Sequence, residues 1–188
     1  MNNPGERLIL TREQILRALT ALSNELGKRG IVGEICIFGG TAMVLAFTAR
    51  LTTKDVDAIF QPTGTIRELA RTIAAQLDLP GNWLNDGVKG FVSAHHETTS
   101  GELPQFSHLR MTMPVPEYLL AMKCMAARLG GATGEEPSDV SDILFLIRRL
   151  NLKSSDEVLD LVGRYYPAAR ISVKTQYLVE SLFEEGRI

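Results

Sequence analysis

Cysteine is scarce in this 188-residue chain: only Cys36 and Cys124 occur, each inside an apolar run. That excludes a disulfide framework and a thiolate-built zinc site, and both residues read as buried free thiols. Aromatic residues make up 6% of the chain, with one tryptophan. Base-stacking platforms interleave aromatic with basic side chains, and such basic neighbours are sparse here, so Trp83 and the Tyr165-Tyr166 pair read as packing or interface residues. Charge of neither sign dominates, with 20 Lys and Arg against 22 Asp and Glu. A protein that coats nucleic acid by charge alone is thereby excluded, although a local basic groove is not. No apolar run approaches the ~18 residues that a membrane span requires. The opening Met1-Asn2-Asn3-Pro4-Gly5-Glu6 lacks a basic start followed by an apolar stretch. A signal peptide is therefore not expected, no membrane partner is expected, and a bacterial-type cytoplasm is the expected location.

The length favours one domain with a helical appendage, able to bury roughly 70% of its unfolded surface. Thr11-Arg12-Glu13-Gln14 has capping-box spacing, and Ile15, Leu16, Leu19, Leu22 and Leu26 follow at helical intervals, ending near Gly27 to Gly30. Strands are expected at about 33–38, 54–60 and 106–112, with a short helix from Thr41 to Phe47 and a longer one from Thr65 to Leu77. Residues 79–87 read as a loop with one helical turn. Pro114 and Pro116 introduce a helix through Leu129, Gly130 to Gly134 form a connector, and Ser138 caps a helix to about Leu150. Ser154-Ser155-Asp156-Glu157 is a second capping box heading a helix to Tyr166, and a last helix covers about 171–185. The expected class is α/β (α+β): a small mixed sheet flanked by helices over residues 1–112, and a helical part over 113–188 packed on it as one compact unit.

The most informative stretch is residues 39–57. Gly39-Gly40-Thr41-Ala42-Met43 follows the apolar run Ile35-Cys36-Ile37-Phe38, and Arg50 precedes Thr52-Thr53-Lys54-Asp55-Val56-Asp57. Two glycines let a backbone approach a ligand closely, and N–H groups at a helix start favour phosphate. The donors expected are the N–H groups of Gly40, Thr41 and Ala42 and the Thr41 hydroxyl. Side chains at i and i+2 of a strand share a face about 6.6 Å apart along it, so Asp55 and Asp57 can jointly ligate Mg2+. The bland alternative is an ordinary strand-to-helix turn beside a solvated strand face. It fits poorly with the apolar flanks Val56, Ala58, Ile59 and Phe60 and with the low strand propensity of aspartate. Arg50 either contacts phosphate or pairs with an aspartate.

Gly-Gly-Thr-Ala followed by Arg-x-Thr-Thr-Lys-Asp-Val-Asp closely resembles the signature of the nucleotidyltransferase superfamily, most of all its minimal bacterial branch. That branch includes the AbiEii-type abortive-infection toxins and the MenT toxins. The motif covers about a tenth of the chain, with weaker matches to about residue 150. The resemblance implies a nucleotidyltransferase-like fold and transfer of a nucleoside monophosphate from a nucleoside triphosphate (NTP) to a tRNA or protein acceptor. It also implies Mg2+ as cofactor and a toxin–antitoxin setting with an antitoxin protein as partner. A catalytically silent nucleotide-binding or interaction module of the same fold is the alternative.

Two later features bear on the same chemistry. Lys123 has Leu119, Leu120, Ala126 and Ala127 as helical neighbours, so its ammonium either meets an anion, such as a β- or γ-phosphate, or snorkels to solvent. Asp139 and Asp142 open the next helix, where the dipole alone favours acids. The toxin branch carries a similar Lys-x-x-Ala helix followed by an Asp-x-x-Asp helix. Carried over, Lys123 and Ala126 match the first and Asp139 and Asp142 the second, which implies active-site roles. One departure stands out: polymerase-like members carry a third carboxylate on a later strand, whereas residues 106–112 contain no acid and Glu117 falls in the following helix. One Mg2+, or a pseudoenzyme, fits that departure. His95-His96 are adjacent in a polar loop without a spaced partner and read as surface histidines.

Overall fold

The computed structural model describes residues 9–127 and 138–188. The connector Gly130 to Gly134 and the capping role of Ser138 lie outside what is described, while the helix expected through Leu129 already ends at Ala126, where Ala127 turns to an extended conformation. The described residues divide into two compact units, one of 9–89 and 99–113, the other of 90–98, 114–127 and 138–188.

The first unit is built on a mixed sheet. Strand β1 (Leu10–Thr11) leads into helix α1 (Arg12–Lys28), and β2 (Gly33–Ile37) into the short helix α2 (Gly39–Leu45). Then come β3 (Thr52–Thr53), β4 (Val56–Gln61), α3 (Thr63–Leu77), β5 (Leu84–Asn85), a 3-10 turn (Gly87–Phe91), β6 (Thr98–Thr99) and β7 (Leu109–Pro114). The five-stranded sheet has the order β5-β4-β2-β7-β6, and β1 pairs with β3 in a separate two-stranded ribbon. β2 runs antiparallel to β4, with Cys36 opposite Ile59, and parallel to β7, with Cys36 beside Thr112. The expected α+β class with a small mixed sheet holds. The four two-residue strands were not expected, because two residues carry no periodicity. Residues 84–85, expected in a loop, form one of them.

Alternation decides which side of the sheet is covered. Ile35, Ile37, Val56, Ala58, Phe60, Leu109 and Met111 are buried, while Glu34, Gln61 and Arg110 are exposed and Cys36, Asp57, Ile59 and Thr112 are half-buried. Period 2 thus separates an apolar face from a polar one. At Gly33 an added Cβ would stand 2.8 Å from Leu26 of α1, 3.2 Å from Ile66 of α3 and 3.3 Å from Leu109, so both helices press against the apolar face there. Thr11 caps α1 through a reciprocal capping box with Gln14. Trp83 is fully buried and its Nε1–H donates to the Ala70 carbonyl of α3 at 2.9 Å, while its own carbonyl receives the Val56 N–H at 2.6 Å. This residue therefore fixes where β5 begins beside β4.

The second unit is helical: α4 (Pro116–Ala126), α5 (Ser138–Arg149), α6 (Ser155–Tyr165) and α7 (Val173–Glu184). α4 packs against the other three. Ser154 accepts the Glu157 N–H at 3.2 Å, but the Glu157 carboxylate bonds the Lys153 N–H at 2.7 Å rather than that of Ser154. The expected capping box is thus only half formed. Residues 90–98 are fastened to this unit. The Ser93 N–H donates to the Tyr118 hydroxyl at 2.7 Å, the Ser93 hydroxyl donates to the Tyr165 carbonyl, and the Tyr166 hydroxyl donates to the Phe91 carbonyl at 2.7 Å. Tyr118 and Tyr165 stack with ring centroids 4.9 Å apart. Among the described residues no helix is long and apolar enough to cross a membrane.

Both cysteines are free, but only Cys124 is buried; Cys36 is half-buried, since it stands on the polar side of β2. Burial pushes the Cys124 thiol up to about 12, and burial, partly offset by a hydrogen bond from Thr112, also raises Cys36. A thiol reagent at pH 8 is expected to modify Cys36 slowly and Cys124 only after unfolding, because the thiolate is the reacting form. Mass spectrometry of the native protein checks this, and a faster reaction at Cys124 contradicts the assignment of the sheet faces and of α4.

Candidate active site

The glycine pair and the acids meet in the first unit. Gly39 opens α2 with φ +57°, a left-handed conformation that suits glycine, and a Cβ there would lie 3.4 Å from Asp57 Oδ2. Gly40 is tighter, since its Cβ would lie 2.5 Å from Thr53 Oγ1 and 3.3 Å from an Arg50 guanidinium nitrogen. Gly39, Gly40, Thr53, Asp57 and Arg50 thus gather at one elbow, where a side chain on Gly40 would displace Thr53 and one on Gly39 would strain its left-handed backbone.

The Thr41 hydroxyl does not serve as expected. Thr41 is fully buried and donates at 2.9 Å to the main-chain carbonyl of Asp55, which also receives the Thr53 hydroxyl at 3.3 Å. The side chain therefore ties α2 to the segment entering β4. The Ala42 N–H is also committed, to the Phe38 carbonyl at 3.4 Å, because α2 begins at Gly39 and not at Thr41. Helix geometry leaves the N–H groups of Gly39, Gly40 and Thr41 without partners inside the helix.

Asp57 sits in β4 on the polar side, half-buried, and its carbonyl accepts the Phe38 N–H at 2.9 Å. Asp55 precedes the strand, which starts at Val56, so strand periodicity alone does not place its side chain. Its carboxylate meets Asn85, which is in register with Asp57 across the parallel β4–β5 pair and donates from Nδ2 to Asp55 Oδ2 at 3.0 Å. Both acids therefore flank one asparagine. Burial pushes the Asp55 carboxyl above the usual range, while the Asn85 hydrogen bond and the Lys54 charge pull it back. Thr53 stood inside the motif without a role assigned to it, and Asn85 went unrecognised in the sequence, its only signal being its nearness to a turn.

Farther along the polar side of the sheet, Cys36, Ile59, Arg110 and Thr112, among others, line a cleft of about 320 Å³ that includes none of the elbow residues. β7 contributes no acid to it. His95 and His96 are exposed, and among the described residues no group of three or more His, Cys, Asp or Glu could hold a metal. A site of two carboxylates therefore suits an ion that completes its coordination with water and phosphate oxygens, as Mg2+ does.

The remaining expected residues lie in the second unit. Lys123 is 7% exposed at its side chain, and its Nζ is 2.9 Å from Asp139 and 2.7 Å from Asp142, whose side chain is 2% exposed. The three residues join α4 to α5, and the lysine has met anionic partners within its own unit. A larger cleft there, about 370 Å³, is lined by Glu117, Glu157 and Asp160 beside Arg164, an acidic lining unsuited to polyphosphate.

No family model, curated protein or solved structure matches the chain. The likeness to nucleotidyltransferases accordingly rests on the motif.

Removing one partner of a buried ion pair leaves a charge without compensation, at a cost of about 3–5 kcal/mol. Lys123→Met is therefore expected to destabilise the second unit by that order, and Lys123→Met/Asp142→Leu to recover most of the loss. Urea unfolding followed by circular dichroism tests both, and an unchanged single variant contradicts the buried pairing of Lys123 with Asp142.

Proposed function

We propose that the first unit is the catalytic core of a Mg2+-dependent nucleotidyltransferase that moves a nucleoside monophosphate from an NTP to an RNA, such as tRNA, or to a protein. The observation that carries this reading is the approach of the Asp57 carboxylate to a left-handed glycine elbow, with the Arg50 guanidinium beside the next glycine. The elbow offers backbone donors and a close approach for phosphate oxygens, and Arg50 adds a cation. Asp55 and Asp57 are the residues that would hold Mg2+, which when bound neutralises charge on the phosphates. In the reaction an acceptor hydroxyl gives up its proton to water as its oxygen attacks the α-phosphorus; the new O–P bond forms as the bond to the oxygen bridging the α- and β-phosphates breaks, and pyrophosphate leaves. Catalysis of such transfers is mostly positioning and electrostatics. The elbow and the two acids supply both.

The likeness to the minimal toxin branch supports a toxin neutralised by an antitoxin protein. One observation favours a second reading, a silent nucleotide-binding module: β7 contributes no third carboxylate.

Asp57→Ala and the isosteric Asp57→Asn are expected to lower label transfer from α-labelled NTPs to tRNA or protein by about 10²–10³-fold while leaving the melting temperature nearly unchanged. Equal transfer by wild type and variants removes the assignment. Calorimetric binding of an NTP with Mg2+ but no transfer to any acceptor favours the silent module.

A further inference from the structure

Asn85 bridges Asp55 to the neighbouring strand. Its Nδ2 donates to Asp55 Oδ2 at 3.0 Å, and its Oδ1 accepts the Gly87 N–H at 2.9 Å. The second bond fixes which end of the amide faces the carboxylate, since only the NH2 end can donate. The loop that carries Asn85 is itself held at both ends. Upstream, Trp83 is buried and bonded to Ala70 and Val56. Downstream, Asp86 is paired with Arg67 at 2.7 Å and with Lys89 at 2.5 Å. Asp55, by contrast, stands outside the regular strand, with no ladder register to orient its side chain.

We propose that Asn85 is a positioning residue: its carboxamide holds one oxygen of Asp55 so that the carboxylate is oriented toward the divalent cation that Asp55 and Asp57 would share. The inference rests on the proposed function and deepens it. Outer partners of metal-ligating carboxylates set ligand direction, and their loss typically weakens metal affinity 10- to 100-fold. An amide donor suits this place better than a cation would, because it orients the carboxylate without competing for its charge. Asn85 also separates two tasks. Its oxygen maintains the turn at Gly87, and its nitrogen serves the acid.

Two variants separate the tasks. Asn85→Ala removes both bonds. Asn85→Ser keeps a short acceptor for the Gly87 N–H, as serine does in such turns, but does not reach Asp55. The measurement is the Mg2+ concentration that gives half-maximal binding of a non-hydrolysable triphosphate analogue, followed by calorimetry alongside thermal melting. Both variants are expected to need about tenfold more Mg2+ than wild type, to bind the analogue with near wild-type affinity once Mg2+ saturates, and in the serine variant to melt as wild type does. A serine variant with a wild-type Mg2+ midpoint overturns the proposal, as does a loss of affinity that saturating Mg2+ does not restore. If wild type and Asp57→Asn respond to Mg2+ alike, the proposed site fails and the role of Asn85 fails with it. If they differ while Asn85→Ser matches wild type, only the role of Asn85 fails.

Discussion

The main-chain carbonyl of Asp55 is the point on which the site depends. Two buried hydroxyls, from Thr41 and Thr53, converge on it at 2.9 and 3.3 Å. One belongs to the elbow helix and the other to the strand that precedes the acids. Through this single acceptor the elbow, the β1–β3 ribbon and the entry to β4 share one geometry. A neutral hydrogen bond of this kind contributes only about 1 kcal/mol net, yet leaving its buried partner unsatisfied costs more. Positional control of the acids therefore comes from groups that never face a ligand.

The sequence made the large elements legible because amphipathic periodicity over ten or more residues is a strong signal. α1, α3, α6 and α7 begin and end within a few residues of where caps and apolar spacing put them. The glycine elbow and Asp57 were legible for a different reason, since backbone freedom and an acid amid apolar neighbours are each costly without a use. Thr41 was misread. A hydroxyl at a helix start looks like a ligand donor in one dimension, and only the fold shows it turned to a carbonyl fourteen residues on. Asn85 could not be found at all, because its partner is thirty residues away and its strand is two residues long.

The two units handle charge differently. In the first, acid and base gather around an elbow that remains partly accessible, with Asp57 and Arg50 each beside one of its glycines. In the second, a lysine is withdrawn among apolar neighbours and matched there by two aspartates. Burying ions is expensive even when they are paired, so the triad is better suited to specifying how α4 meets α5 than to adding stability.

Residues 90–98 leave the first unit, fasten to the helical one through Ser93 and the tyrosines, and return before β7. The backbone thus passes between the units three times, and neither is a contiguous segment. Cutting the chain once anywhere between them severs at least one of its own pieces. A gene fragment encoding only the last 75 residues would leave Tyr118 and Tyr166 without the strand of chain that caps them. The helical half therefore corresponds to no single stretch of coding sequence, and no one junction separates it from the rest.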